Sequence, residues 1–396
     1  MYRDLPQVAI MVETSRGYAR DILRGILRYE MLRGPWDIYM APAGRQEQKL
    51  PTMRLPGKKG IIAHIVSPGM ADEIRNAKLP TVSVFPTDDI PSIGKSLRSF
   101  AEVRLDSRSI GVLAAQHLLE CRFTHFGAVG EVYDADWSIQ RVEAFGETVA
   151  AAGRTAIFYS TPNKPDWNVE QKRLSQWLKS LPKPVGIFAA TDIRARNVIE
   201  ACKHAELHIP EDVAVVGTDN DELFCETTIP KLSSVAVDAE WAGYQAAKAL
   251  HQLMLGEKNV PTTFFGALRV VARQSSDVFL VDDPLVGKAV RFIRDGYAGP
   301  ITVLDVVRAV GVSRRQLETR FKKVLDRSIF DEIKKRRLQR VCHLLSETDF
   351  SLDQIAEMSG FQSKNYLVNV FRKEFDTTML TYRKSCKSRG LTPPDA

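Results

Sequence analysis

Thr302-VLDVVRAVGVSRRQLETRFKK-Val324 and Ser351-LDQIAEMSGFQSKNYLVNVFRKEF-Asp376 are two copies of one pattern. Ser313, Leu317 and Phe321 return as Ser363, Leu367 and Phe371, each 50 positions on. Val306, Val307 and Gly311 return as Ile355, Ala356 and Gly360, 49 positions on. Each copy predicts a short apolar-periodic helix, a glycine turn, and a second helix with one apolar stripe and one polar face. That is the pattern of a helix-turn-helix, whose second helix enters the DNA major groove. The units span about 302–324 and 351–376. Between them Ser328–Leu345 reads as a spacer helix with Phe330, Ile333, Leu338, Val341, Leu344 and Leu345 on one side. A separation of one DNA turn, ~34 Å, would seat both units in successive grooves.

Ser313 and Gln316 predict a capping box at the start of the first reading helix. Leu317, Phe321 and Val324 form its buried stripe; Leu367, Val370, Phe371 and Phe375 do so in the second. On the outer faces, arginine suits guanine O6/N7 and asparagine suits adenine N6/N7. Charge agrees with this placement. From Leu285 to the end, 22 Lys+Arg stand against 13 Asp+Glu, a surplus of nine; the first 284 residues carry 33 against 35. A basic module on a near-neutral body fits phosphate binding.

The other 280 residues alternate short apolar runs with helical stretches. Val8–Val12, Trp36–Met40, Gly60–Val66, Thr81–Phe85, Phe126–Val129, Ala156–Tyr159, Val185–Ala189 and Val213–Val216 read as strands. Nearly all-apolar strands between helices imply α/β, doubly wound parallel sheets covered on both faces. Ligands then sit beyond the carboxyl ends of the strands. This points to the polar segments Glu13–Arg16, Phe85–Asp88, Gly130–Arg141, Thr191–Arg196 and Thr218–Glu222. The sequence has no Gly-rich phosphate cradle after a strand, no GxSxG, no HExxH and no nucleophile–base pair, so no enzyme is expected. The five cysteines have no metal spacing; no cofactor and no metal are called for. No apolar run is long enough to span a bilayer, and Val8–Val12 is too short for a secretory leader, so no membrane partner and a cytoplasmic location are expected.

The region from about Leu5 to Asp277 resembles the sugar-binding core of the LacI/GalR repressors, itself similar to periplasmic sugar-binding proteins. Val103–Gly130, Ser138–Phe145, Ile187–Cys202, Asp212–Leu223 and Leu232–Leu250 carry that resemblance. The tail from about Pro284 resembles the AraC/XylS DNA-binding domain through Ile355–Arg383, departing from it at Leu367 (usually Phe), Asp376 (usually Gly) and Met379 (usually Pro). Together the two parts are similar to the xylose operon regulator family. The resemblance implies a two-lobed, periplasmic-binding-protein-like domain over 1–280. Lobe 1 would comprise about 1–105 and 236–262, and lobe 2 about 106–235 and 263–280. A linker follows at 281–285, with Gly299-Pro300 breaking the chain before the first unit, and then an all-α DNA-binding domain over 286–390.

It further implies a transcription regulator, an activator responding to a pentose, D-xylose. A homodimer on a double-stranded DNA operator is expected, with RNA polymerase as a further partner. A sugar presents hydroxyls in fixed directions and C–H faces, so its site needs paired hydrogen-bonding groups and a flat apolar surface. By family position Asp219 accepts from hydroxyls and Arg141 donates to them. Thr191 and Asp192 form a polar loop, Ser15 and Arg16 belong to the first loop with Thr14, and Trp137 stacks. Each has a plainer alternative. Asp219 or Asp192 caps the next helix, Arg141 pairs with Asp219 or Glu143, and Trp137 is core. Tyr18 and Arg20 lie beside the first loop, with solvent as the alternative. For DNA, Arg315, Thr319, Asn365 and Asn369 are the expected base contacts, and Arg314, Arg320 and Lys364 the phosphate contacts. Three rivals stay open: a regulator of another sugar or one released from DNA by sugar, a sugar- or nucleoside-processing enzyme with a DNA-binding tail, and a scaffold with a dead pocket.

Overall fold

The computed structural model describes residues 5–40, 50, 59–86, 101–132, 135–160, 166–257, 259–277, 283–348 and 350–389. Contacts divide the chain into two units, residues 1–278 and 279–396.

The first unit holds two six-stranded sheets. One runs β11 (Thr263–Phe265), β5 (Ala101–Leu105), β4 (Thr81–Val84), β3 (Lys59–Ala63), β1 (Gln7–Met11), β2 (Asp37–Met40), all parallel. Helices α1 (Gly17–Arg33) and α8 (Ala239–Met254) share one of its cores with Ile10, Val82 and Val103, and α2 (Pro68–Ala77) packs in another with Met11 and Ile61. The other sheet runs β12 (Ala267–Val271), β10 (Ser233–Val237), β9 (Val213–Thr218), β8 (Val185–Ala189), β6 (His125–Val129), β7 (Ala156–Tyr159). It is parallel except for β12, an antiparallel edge strand on β10. Its helices are α3 (Ser107–Glu120), α4 (Asp136–Ala151), α5 (Trp167–Ser180), α6 (Asp192–His204) and α7 (Glu222–Thr227). Every residue of β8 and β9 is buried, as central strands covered on both faces require.

The chain crosses between the sheets three times. The last crossing corrects the expected boundary at 262: Thr263–Phe265 pair with Val103–Leu105 in the first sheet, and the passage to the second falls at Gly266. Because the sheets are parallel, every strand followed by a helix ends toward one rim, and the rims supply the site.

The second unit is helical: α9 (Pro284–Gly296), α10 (Val303–Val310), α11 (Arg314–Leu325), α12 (Ile329–Glu347), α13 (Leu352–Met358), α14 (Lys364–Phe375) and α15 (Met379–Arg389). Two apolar cores divide it. Leu317 and Phe321 lie in the first, Leu367 and Phe371 in the second, all fully buried. Helix α12 belongs to both, through Ile329 and Ile333 at one end and Leu338, Val341 and Leu345 at the other. One rigid helix therefore carries both reading units. Phe330, expected in its buried stripe, is 53% exposed, and Ile329 takes the inward place. Among the described residues no helix is long and apolar enough to cross a membrane.

Candidate functional site

The cleft between the two lobes is lined by Glu13, Arg16, Tyr18, His64, Phe85, Pro86, Leu105, Ser107, Trp137, Arg141, Thr191, Asp219 and Val237. Its empty space of ≈ 780 Å³ includes open solvent at the mouth. Nearly all of these residues stand just past the end of a parallel strand or in the first turns of the helix that follows.

Arg141 organises the second-lobe wall. It follows Trp137 by one turn of α4, so both share a face, and its guanidinium carbon lies 4.6 Å from the Trp137 ring centroid. Nη1 donates to the Ala190 carbonyl at 2.6 Å and stands 3.7 Å from Asp219 Oδ1. Arg141 is 4% exposed, and its Nε meets no acceptor among the described residues. A buried donor without an acceptor is costly unless something arrives to take the hydrogen bond.

Asp219 closes β9 with φ +98°, followed by Asn220 at +49°. Side chains rarely adopt this left-handed backbone, and strain of this kind concentrates at functional sites. The turn is held from below. The Asp219 amide donates to the Val235 carbonyl, the Asn220 amide to Ser234 Oγ, and the Asp221 amide to Asp192 Oδ2. Burial pushes the Asp219 carboxyl up to about 6, against the pull of Arg141 and Arg16. The opposite wall has a matching outlier. Phe85 ends β4 with φ +50°, its ring edge-on to Tyr18 at 4.9 Å and to Phe265 at 5.3 Å. The cleft thus offers an aromatic wall facing a carboxylate–guanidinium pair, which suits a ligand with C–H faces and adjacent hydroxyls.

Arg16, Trp137, Arg141, Thr191 and Asp219 line the cleft; Asp192 and Ser15 do not. Asp192 is 2% exposed and accepts from Ser234 Oγ at 2.6 Å and from the Asp221 amide at 2.8 Å. Burial, with the Asp219 charge next, pushes it up to about 8. It supports the turn that presents Asp219. Nor does Asp192 cap α6: Thr191 does, its Oγ1 accepting from the Arg194 amide while donating to Glu131. Asp221, not Asp219, caps α7. Ser15 turns its hydroxyl onto Glu13 Oε1 at 2.7 Å. The expected first-loop contribution therefore falls to Glu13 and Arg16. Sequence reasoning missed His64, Ser107, Leu105 and Val237, and left Tyr18 between site and solvent. A signal existed for His64, the residue immediately after β3. Thr87 and Asp88 lie outside the described residues, as do Val281 and Asp282 of the expected linker.

In the second unit Arg314, Arg315, Thr319, Arg320, Lys364, Asn365 and Asn369 are all exposed. Ser313 and Ser363 cap the reading helices, accepting from the amides of Gln316 and Tyr366. At Ser313 only this half of the expected capping box forms; full boxes occur at Thr302/Asp305, Ser328/Asp331 and Ser351/Gln354. Gly311 and Gly360 make the turns at φ +84° and +74°, and Asp326 and Asp376 close the reading helices at +52° and +48°. The Asp376 departure from the family's glycine is accommodated, since a short polar side chain tolerates that conformation. Met379, where the family has proline, starts α15 and is 3% exposed. Arg320 is paired with Asp283 at 2.8 Å, Lys364 with Asp353 at 2.8 Å, and Arg314 with Glu318 at 3.3 Å. Ion pairs this near the surface contribute little to stability. Arg337 ties α12 to the segment between α9 and α10, donating to the carbonyls of Tyr297, Gly299 and Ile301 at 2.9, 2.9 and 3.2 Å.

Residues 115–276 match the periplasmic binding protein-like domain family, and residues 306–385 match a helix-turn-helix domain family. The chain is 31% identical to the xylose operon regulatory protein of Haemophilus influenzae over 392 residues, 96% of this chain and 98% of that one. It is 30% identical to the protein of the same name from Escherichia coli, covering 97% and 98%. A solved structure of a xylose-binding transcription activator, 30% identical, superposes with a TM-score of 0.72 over 97% of this chain and 99% of that one.

Proposed function

The chain belongs to the xylose operon regulatory protein family, and from that membership we propose that D-xylose, bound between its lobes, switches it as an activator of pentose uptake and breakdown genes. The observation that carries the ligand reading is Arg141: a buried guanidinium aimed at Asp219, with a donor that no acceptor among the described residues takes. In this reading Asp219 accepts from two adjacent hydroxyls and Arg141 Nε donates to one. Trp137 backs the guanidinium, while Tyr18 and Phe85 face the sugar's C–H surface. Glu13 and Arg16 complete the polar contacts from the first lobe, with Thr191 beside them.

Arg315, Thr319, Asn365 and Asn369 read bases, while Arg314, Arg320 and Lys364 hold phosphates after exchanging their carboxylate partners. The protein works in the cytoplasm as a homodimer on its operator, contacts RNA polymerase, and turns over no substrate. The domain division proposed is 1–280, 281–285 and 286–390, with Thr263–Phe265 reassigned to the first lobe.

Isothermal titration calorimetry against D-xylose, other pentoses and hexoses tests the ligand. Selective binding of D-xylose is expected. Selective binding of another sugar overturns the ligand and keeps the architecture, and binding of none overturns the sugar reading.

A further inference from the structure

Asp221 has no place in the cleft, yet it joins the two lobes. It leaves β9 in the second lobe, and its carboxylate, 7% exposed, accepts from the Gly17 amide of the first lobe at 2.8 Å. Both of its oxygens lie 3.2 Å from Arg20 Nη2. Through Nη1 the same Arg20 donates to the carbonyls of Thr14 and Ser15 at 3.2 and 3.0 Å. Thr14 and Ser15 sit between Glu13 and Arg16, the two residues that the first loop places in the cleft. On its other side Asp221 is anchored by its amide to buried Asp192, two residues from Asp219. Gly17 leaves room for this approach: a Cβ there would lie 2.7 Å from Asp221 Cγ and Oδ2.

We propose that Asp221 and Arg20 form an inter-lobe latch that couples lobe closure to sugar affinity. The inference rests on the sugar reading above. Neither residue touches the ligand; both are positioning residues. Closing the lobes brings the Asp221 carboxylate onto the first turn of α1. Arg20 then fixes the Thr14–Ser15 backbone, so that Glu13 and Arg16 are held against the sugar. A contact made only in the closed arrangement raises the closed fraction, and the apparent affinity scales with that fraction. Charge-assisted hydrogen bonds shielded from water are strong enough for their loss to weaken sugar binding about ten- to a hundredfold.

The test uses the full-length chain and the variants Asp221→Asn, Arg20→Gln, their double variant, and Gly17→Ala. Gly17→Ala keeps both charged side chains and crowds the Asp221 carboxylate from the first lobe, so it disturbs the latch without removing either partner. Two quantities are measured: D-xylose binding with its dissociation rate, and the inter-lobe distance distribution without sugar, from spin labels on α2 and α5. Each single variant should weaken binding, chiefly through faster dissociation, and shift the sugar-free distances toward open lobes. The double variant should be no worse than the poorer single one. Wild-type affinity in Asp221→Asn and Gly17→Ala with unchanged distances would overturn the latch, as would losses that multiply in the double variant. If the wild type binds no sugar, the sugar reading fails, and the distance distributions alone decide whether the latch holds the lobes.

Discussion

The cleft and the reading domain are built on opposite plans. The reading domain is local: two units of one pattern about 50 residues apart, each with its own serine cap, glycine turn and buried leucine–phenylalanine pair. The cleft is assembled from afar. Glu13, His64, Phe85, Trp137, Thr191 and Asp219 come from six separate strand ends, and two of them sit on left-handed backbone. A local motif repeats well in sequence, whereas a site of convergent strand ends is only as legible as the strands beneath it. The comparison also predicts where damage stays. A change in the cleft should silence the response and leave DNA binding alone, and a change in the reader should do the reverse.

Asp219→Asn should break the cleft most severely. The amide loses one acceptor oxygen and the charge opposite Arg141, so sugar affinity should fall at least about a hundredfold, as expected when a site built for a hydrogen-bonding partner loses it. Basal operator affinity should be unchanged. Calorimetry and a mobility-shift titration on the same preparation check both. A variant with the wild-type sugar response means the carboxylate does not hold the ligand.

The two turn glycines sharpen the comparison within the reader. At Gly311 a Cβ would meet nothing within 4 Å, so Gly311→Ala bears only the strain of φ +84°, about 1 kcal/mol. At Gly360 a Cβ would lie 2.5 Å from the Tyr297 carbonyl oxygen and 2.9 Å from Arg337 Nε, where Arg337 of α12 meets the segment before α10. Gly360→Ala should therefore cost about 3 kcal/mol, strain plus steric clash. Denaturant unfolding reads both, and equal costs would mean that the junction yields without loss.

These contrasts explain what the sequence made legible. Alternating apolar strands and helices give the parallel sheets, and the 50-residue recurrence gives the reader, because both are periodic; the division into two lobes came from the resemblance. Asp219 and Arg141 were expected from family position, and both line the cleft. A carboxylate after a strand looks the same in sequence whether it meets ligand or backbone; only the fold reveals Ser234 and the Asp221 amide beside Asp192. The sequence is equally silent on Ser15, whose side chain turns back onto Glu13 two residues away. The edge strand at Thr263–Phe265 is three residues long, too short to show a period, so the last crossing was placed early.

Within the reader, Arg315 and Arg320 should separate base reading from phosphate holding. Arg315 is exposed near the start of its helix, while Arg320 is engaged with Asp283. Arg315→Ala should cost about 2 kcal/mol at its preferred base pair and relax the choice there. Arg320→Ala should weaken all sequences alike and reduce the salt slope by about 1. Binding selections over randomised operators check this, and an unchanged base preference in Arg315→Ala would reject that contact.

The smallest expected effect is on pH, and it bears only on the cleft. Burial raises the Asp219 carboxyl to about 6, and Glu131 and Asp221 push the same way, while Arg141 and Arg16 oppose. Asp192, pushed up to about 8, is already largely protonated at pH 7 and adds no change of charge on the acid side. The ionised form of Asp219 accepts the sugar hydroxyls. It is about nine-tenths populated at pH 7 and about one-tenth at pH 5, so sugar affinity should fall about tenfold between them. Stability of the sugar-free fold moves the other way at this residue. A carboxyl whose folded value lies above its unfolded 3.8 binds its proton more readily when folded. The penalty for burying its charge is full above about pH 6 and relieved as pH falls toward 4. Calorimetry from pH 7 to pH 5, paired with thermal melts of the sugar-free protein, should show affinity falling while this residue's share of stability rises. A flat affinity profile would mean that the sugar is held by groups other than the Asp219 carboxylate.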